Sequence, residues 1–568
     1  MIRIPKNNIF VVIAVLSTAF TTGKSVSSDD HLNKNLASSR WLAVASTFSS
    51  NLPIVVINTN GKRIPDEPRL IAQMGIIDNG PEKRNTPNDP FNHYQGRITI
   101  ELRGNTSLDF PKKAYAFETQ KADGENDNVP LLGMPKENDW ILYAPYSDKS
   151  LLRNVLTFKL ARDMGRYAPR TRFCELILND DYQGVYVLME KIKRDKNRVD
   201  IARLTPTDTS GDDITGGYIL KLDWEDHKSQ GWHSPIDGTL FHFHHPQKKD
   251  LVPLQRRYIQ NFISEFEAIL AKDDYLDPVE GYRRFIDTGS FIDYFISAEV
   301  AHNADSYRIS TYMYKDRDDR DGRLNMGPQW DYNLAYGNQD EGPFGTPYKW
   351  SWQVGLDDIN FWWNRFLADP LFLEQLQQRW AELRTDILRE ERILTHIDSL
   401  AVALDEAQLR NFKRWPVLGE YVWPNAYIGK TYQDEINYLK DFLEKRLDWI
   451  DQNISKIDVK SEAEEPDDQE NDQIRIPEKY KLNAFPNPFR QTIQFQYTLP
   501  VTRFVKLDIY NVIGQKMNTF IDAYQKAGDH NFDWNGANEQ GDVVASGIYF
   551  GVLMINWEIR AVKKIIRY

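Results

Sequence analysis

The chain has 568 residues, 41% hydrophobic and 27% charged, enough for two or three domains with sizeable cores. A formal net charge of −12 excludes a general nucleic-acid binder, which needs a basic face. The single cysteine, Cys174, excludes an internal disulfide, and its strand-like setting Phe173–Leu178 predicts a buried, inert thiol.

At the N-terminus, Arg3 and Lys6 precede the apolar run Ile9–Leu16, and Ser17-Thr18-Ala19 follows. A basic stretch, a short apolar run and small residues predict a secretory signal peptide over residues 1–22, cleaved between Ala19 and Gly23. The run is too short to span a bilayer comfortably and no later segment has the needed length, so no transmembrane span is expected in the mature chain. Residues 23–50 are polar and serine-rich, as in a linker.

Ile98 to Ser107 reads as a strand breaking into a polar turn at Arg103-Gly104-Asn105-Thr106-Ser107, and Phe110–Phe117 as a second strand carrying Lys112 and Lys113. Strand, glycine turn and lysine-bearing strand can form a nucleotide cradle, in which exposed N–H groups meet phosphate and a lysine adds charge. An ordinary glycine hairpin is the alternative. Arg153 falls on a predicted helix, and Gly184–Met189 is a predicted strand that ends at Glu190.

Two aspartates stand out further on. Asp305 lies near the end of a helical pattern within His302–Ser310, and Asp331 ends the strand-like run Gly327–Asn333. Phosphoryl transfer needs such a pair, one carboxylate to orient the attacking hydroxyl and another to hold the metal that bridges the phosphates. Helix-cap or turn aspartates are the competing explanation. Asp434–Asn453 places Ile436, Leu439, Phe442, Leu443, Leu447 and Ile450 at helical spacing. Glu462–Glu478 is acidic, with no apolar period, and predicts a linker over residues 456–479. Beyond it, Thr492–Leu499, Arg503–Tyr510, His530–Trp534, Gly547–Ile555 and Ile559–Ile566 alternate as strands of an antiparallel sandwich.

Six ordered motifs resemble the spore-coat-protein-H (CotH) kinase family over roughly residues 51 to 455: Arg103–Ser107, Pro111-Lys112-Lys113, Asp148–Asn154, Gly184–Lys191, Asn303-Ala304-Asp305 and Trp330-Asp331. The resemblance implies an α+β chain whose main domain is an atypical, two-lobed protein-kinase-like fold using ATP with Mg²⁺ or Mn²⁺. By the same resemblance Arg103, Gly104, Asn105 and Ser107 would cover the phosphates, and Lys113 or Lys112 would pair with them. The two lysines alternate in direction along a strand; Lys113 is preferred because Tyr115 and Phe117 share its face and would line the site. Arg153 would tie its helix to the cradle, a surface helix charge being the alternative, and Glu190 would sit where a connector between the lobes meets the adenine, a contact normally made by backbone groups, with a structural side chain as the alternative.

Asp305 would be the catalytic aspartate and Asp331 the metal ligand. The chain departs from the pattern at Ser310, where ordinary kinases carry asparagine five residues after the aspartate, and at Asn333, where many relatives carry a second aspartate. Both positions are expected at the metal, where hydroxyl and amide oxygens are weaker ligands than carboxylate.

The tail, residues 480–568, resembles the C-terminal sorting domain of type IX secretion through Phe485–Phe489, Ile509–Asn511, Gly514-Gln515, Trp534–Gly536, Ser546–Tyr549 and Lys563-Lys564. That resemblance implies a small all-β, Ig-like sandwich, the type IX machinery as a partner, and delivery to the surface of, or secretion from, a Gram-negative bacterium. A wall- or glycan-binding Ig-like module is the alternative. The expected function is transfer of the ATP γ-phosphoryl group to Ser or Thr hydroxyls of a secreted or cell-surface protein. The rivals are a kinase-shaped adhesion or coat protein without turnover, and a kinase acting on a sugar or other small molecule.

Overall fold

The computed structural model describes residues 48–457, apart from 226–230, 341 and 355–358, and residues 482–568, apart from 500–502, 513–514, 526–527, 539–541 and 556–557. The expected signal peptide, the polar stretch up to residue 47 and the acidic linker from residue 458 lie outside the described residues. The chain divides into two compact units, one holding the described residues before Glu464 and the other those after Glu465. Helix and strand are mixed in the first unit, while the described part of the second is built of strands, so the chain is α+β.

The first unit begins with a closed barrel of seven strands: β1 (Ile54–Asn58), β2 (Leu70–Ile77), β3 (Tyr94–Arg103), β4 (Ala114–Gln120), β5 (Asp139–Tyr143), β6 (Thr171–Leu178) and β7 (Asp181–Glu190). Neighbours run antiparallel except β1 and β6, which pair in parallel and close the ring. Alternating residues fill the interior, among them Ile98 and Ile100, Tyr115 and Phe117, Trp140 and Leu142, and Tyr186 and Leu188. Cys174 joins them, and burial pushes its thiol up to about 12.

A five-stranded antiparallel sheet follows, made of β8 (Tyr218–Leu222), β9 (Gly231–His233), β10 (Leu240–His245), β11 (Thr311–Lys315) and β12 (Leu324–Met326), in the order β12-β11-β8-β10-β9. The helices of this unit are α1 (Arg153–Asp163), α2 (Pro253–Leu270), α3 (Thr288–Ala301), α4 (Trp362–Leu367), α5 (Pro370–Thr385), α6 (Glu390–Ala403), α7 (Asp405–Arg414), which packs on β7 of the barrel, and α8 (Tyr432–Asn453). Leu220, Phe241 and Met313 of the sheet share one core with Phe291, Phe295, Trp362 and Trp363 of the helices. Helix α8 starts at a reciprocal cap: Asp434 N–H donates to the Thr431 hydroxyl at 3.1 Å, and Thr431 N–H to the Asp434 carboxylate at 2.9 Å. Its apolar stripe, from Ile436 to Ile450, is buried. No helix among the described residues is long and apolar enough to cross a membrane.

The second unit has two sheets, one of β13 (Asn483–Phe485), β14 (Ile493–Leu499) and β17 (Gly528–Trp534), the other of β15 (Arg503–Asn511), β16 (Lys516–Gln525), β18 (Gly547–Ile555) and β19 (Glu558–Arg567). Phe495, Tyr497 and Trp534 from the first sheet meet Leu507, Ile509, Leu553 and Ile565 from the second in a single core.

Candidate active site

Strand β3 stops at Arg103 because Gly104 takes φ of 129°, a conformation closed to side-chain-bearing residues, and a Cβ there would collide with the Ser107 hydroxyl. Gly104, Asn105 and Thr106 are exposed in the turn that follows. The Arg103 guanidinium reaches across to the Trp330 ring, 4.7 Å from its centroid.

Asp331 is placed by α1. The residue lies in a loop beyond β12, which stops at Met326, and not at the end of a strand as expected; it has φ of 62°, and the loop is anchored three times: Tyr332 N–H donates to Asn154 Oδ1 at 2.6 Å, Arg153 Nε to the Ala335 carbonyl at 2.9 Å, and the Thr157 and Tyr336 hydroxyls meet at 2.8 Å. Arg153 is itself fully buried against Asp148, with Nη1 to Oδ1 at 2.6 Å. The Asp148–Asn154 motif is therefore a buried knot beneath the Asp331 loop. Arg153 ties its helix to that loop, through Ala335, and bonds to Asp148 and Ser150 and not to the Gly104 turn expected from the sequence.

The Asp305 loop leaves α3 through left-handed His302 (φ of 47°) and turns again at Tyr307 (φ of 75°) and Ser310 (φ of 50°). Buried Glu299 pins it, accepting the Tyr307 hydroxyl at 2.8 Å and the Arg446 guanidinium at 2.8 Å. Register then brings in a residue the sequence reading missed. Thr311 of β11 pairs with Leu222 of β8, so Ser310 and Asp223 leave the sheet at the same end, and both line the cleft. The Asp223 carboxylate is 2.5 Å from Lys221 Nζ. Its signal was a Lys-Leu-Asp alternation ending an otherwise apolar strand.

These elements wall one cleft of about 1180 Å³. Arg103, Gly104, Asn105 and Ser107 line it together with Asp305, Ser310, Asp331 and Asn333, two groups about two hundred positions apart in sequence. Burial pushes the Asp331 carboxyl above its ordinary range; Arg103 counters the rise and the like charge of Asp223 adds to it. Among the described residues no group of three or more His, Cys, Asp or Glu is placed to hold a metal ion. Two carboxylates do suit a hard cation that takes its remaining oxygens from phosphates.

Four expected residues, Lys113, Tyr115, Phe117 and Glu190, fall outside the lining. Closing the barrel turned the face shared by Tyr115 and Phe117 into its core, so those rings, 5% and 1% exposed, do not line the cleft. Ala114 and Glu118, on the opposite alternation, face it instead. The Lys113 ammonium donates to the Leu108 carbonyl inside the turn. Lys112 is buried, bonded to the Val185 carbonyl at 2.6 Å and Asn411 Oδ1 at 2.9 Å, and burial lowers it to about 7. Glu190 is wholly buried and taken up by Arg170 at 2.9 Å. Its neighbours Met189 and Lys191 line the cleft in its place, and Lys191 and Lys193 pair with Asp139 at 3.5 and 2.7 Å.

The CotH kinase protein family model matches residues 100–450, more than half of the chain, and the chain belongs to that family. No curated protein matches it. Among solved structures it is similar, over 16% of its length, to dimeric latent PorU from Porphyromonas gingivalis, at 20% identity, 9% of that chain and a TM-score of 0.15. It is similar over 13% to FLGD from P. aeruginosa, at 23% identity, 59% of that chain and a TM-score of 0.12. Over 39% it is similar to the Pseudomonas fluorescens alkylpurine DNA glycosylase AlkC, at 10% identity, 57% of that chain and a TM-score of 0.11. The chain thus spans less than two thirds of each of these proteins.

Proposed function

We propose that this chain is an atypical, two-lobed kinase that transfers the γ-phosphoryl group of ATP to Ser or Thr hydroxyls of a protein outside the cytoplasm. The observation that carries the reading is the single cleft in which the Gly104 turn, Asp305 and Asp331 meet. The exposed turn offers N–H groups to phosphate oxygens, and Arg103, steadied on Trp330, adds fixed positive charge. Asp305 orients the acceptor hydroxyl. Its oxygen bonds to the γ-phosphorus as the bond to the β–γ bridging oxygen breaks; ADP leaves with that oxygen, and the hydroxyl proton passes to the Asp305 carboxylate. Asp331, with Asp223 and the Asn333 amide beside it, would hold Mg²⁺ or Mn²⁺, which supplies charge neutralisation for the phosphates when bound. Export through the N-terminal signal and the C-terminal sandwich, with the type IX machinery as partner, belongs to the same reading and rests on the sequence motifs alone.

The test is incubation of the purified full chain with labelled ATP, Mg²⁺ or Mn²⁺ and a panel of protein acceptors. Label should appear on Ser or Thr with wild type and be absent with Asp331→Ala. No transfer to any acceptor, under conditions where nucleotide binds, overturns the enzyme reading. It would favour a nucleotide-binding surface or coat protein, which Ser310, Asn333 and the lack of a three-residue ligand cluster among the described residues support.

A further inference from the structure

Arg308 lies one turn beyond Asp305 and takes no part in the contacts described above. Its side chain is 6% exposed and its Nη2 is 3.3 Å from Asp305 Oδ1. Nε donates to the carbonyl of Ala304, the residue before Asp305, also at 3.3 Å. The guanidinium lies over the Trp224 ring, 5.1 Å from its centroid. Nη1 is buried without a hydrogen-bond partner among the described residues.

For stability alone this is a poor arrangement. A buried guanidinium with one unmet donor pays desolvation that an apolar side chain packed on Trp224 would avoid. What the charge achieves is local: it grips both the backbone entering Asp305 and one oxygen of its carboxylate, while Asp305 still lines the cleft. Trp224 comes from a different element, directly after Asp223. The cation–π contact therefore fastens the Asp305 loop to the strand end that carries Asp223.

We propose that Arg308 is a positioning residue: backed by Trp224, it holds the Asp305 carboxylate in one rotamer, aimed into the cleft at the acceptor hydroxyl. This rests on the assignment of Asp305 as the orienting carboxylate. A loosely held carboxylate would spend most of its time out of line, and misplacement by an ångström costs about 100-fold in rate.

Arg308→Ala should lower kcat by about 100-fold while KM for ATP stays within about twofold, because the nucleotide contacts lie elsewhere. Added guanidinium should restore part of the rate, and Arg308→Lys, which keeps the charge without the fork, should fall between the two. Trp224→Leu should move kcat in the same direction, and serves if Arg308→Ala does not fold. A crystal structure of Arg308→Ala, or of Trp224→Leu in that event, should find the Asp305 carboxylate in another rotamer with its backbone in place. A wild-type kcat, or an unmoved Asp305 rotamer, overturns the proposal. If wild type transfers no phosphoryl group, the kinase reading fails, and the Asp305 rotamer still decides the role of Arg308.

Discussion

Replacing Arg153 with methionine should damage stability and the site together. Arg153 is 0% and Asp148 1% exposed, so the substitution leaves a carboxylate in the protein interior without its cation. Breaking a buried pair from one side costs about 3–5 kcal/mol. The lost bond from Nε to the Ala335 carbonyl adds about 1 kcal/mol. A loss of about 4–6 kcal/mol is therefore expected, and methionine keeps most of the packing volume, so little of it comes from a cavity. In Arg153→Met/Asp148→Asn the stranded charge is gone, and the double variant should recover about 2 kcal/mol or more relative to Arg153→Met. Urea unfolding of the full chain, followed by tryptophan fluorescence, measures all three differences at matched m-values. Because the Ala335 tie belongs to the Asp331 loop, the folded fraction of Arg153→Met should also bind nucleotide and metal more weakly. A loss below about 1 kcal/mol, or a double variant no more stable than Arg153→Met, would refute the buried-pair reasoning.

Asp331→Ala should abolish metal-dependent nucleotide binding measured by calorimetry, whereas Asp305→Asn should keep it and lower transfer by about 10²–10⁴-fold. Lys113→Ala should leave nucleotide affinity within about twofold of wild type, while Arg103→Ala should weaken it about tenfold or more; equal effects would return Lys113 to the site. Gly104→Ala should weaken nucleotide binding and lower the melting temperature, since φ of 129° and the Ser107 hydroxyl both oppose a Cβ. Burial lowers His244 to about 3 and His245 to about 4, against about 6.5 when unfolded. The unfolded chain therefore binds more protons below pH ~6.5, and stability should fall as pH drops from there toward the folded values. Melting temperatures between pH 6.5 and 5, where most carboxylates are still ionised, should show the fall in wild type and a shallower one in His244→Gln.

In the first unit β3, β4, β6, β7 and the long C-terminal helix, and in the second β14, β15, β17, β18 and β19, were legible because period-two and helical patterns survive wherever one face is buried. β16 was not. Its pairing with β15 slips at Leu507/Asp508 and again at Ile509/Tyr510, and each bulge breaks the alternation that marks a strand. For the site, short polar motifs named the residues that line the cleft, since a turn glycine or a lone aspartate between apolar residues has few other reasons to interrupt an apolar run. The sense of the strand carrying Lys113 was out of reach. Two faces of an apolar strand look alike until the barrel closes and one becomes interior. Asp223 was hidden for a related reason: its place beside Ser310 depends on the pairing of β8 with β11, almost ninety residues further along the chain.

The wall of the cleft is drawn from Arg103 at one end of the first unit and from Trp423 and Pro424 near the other, where Asn425 fastens the last piece to the Ser147 carbonyl at 2.8 Å. During synthesis the barrel can close long before those residues leave the ribosome, at a rate of about 5–20 residues per second. A chain ending between Asp331 and Trp423 would carry every motif up to Asp331 and still lack part of the wall of the cleft.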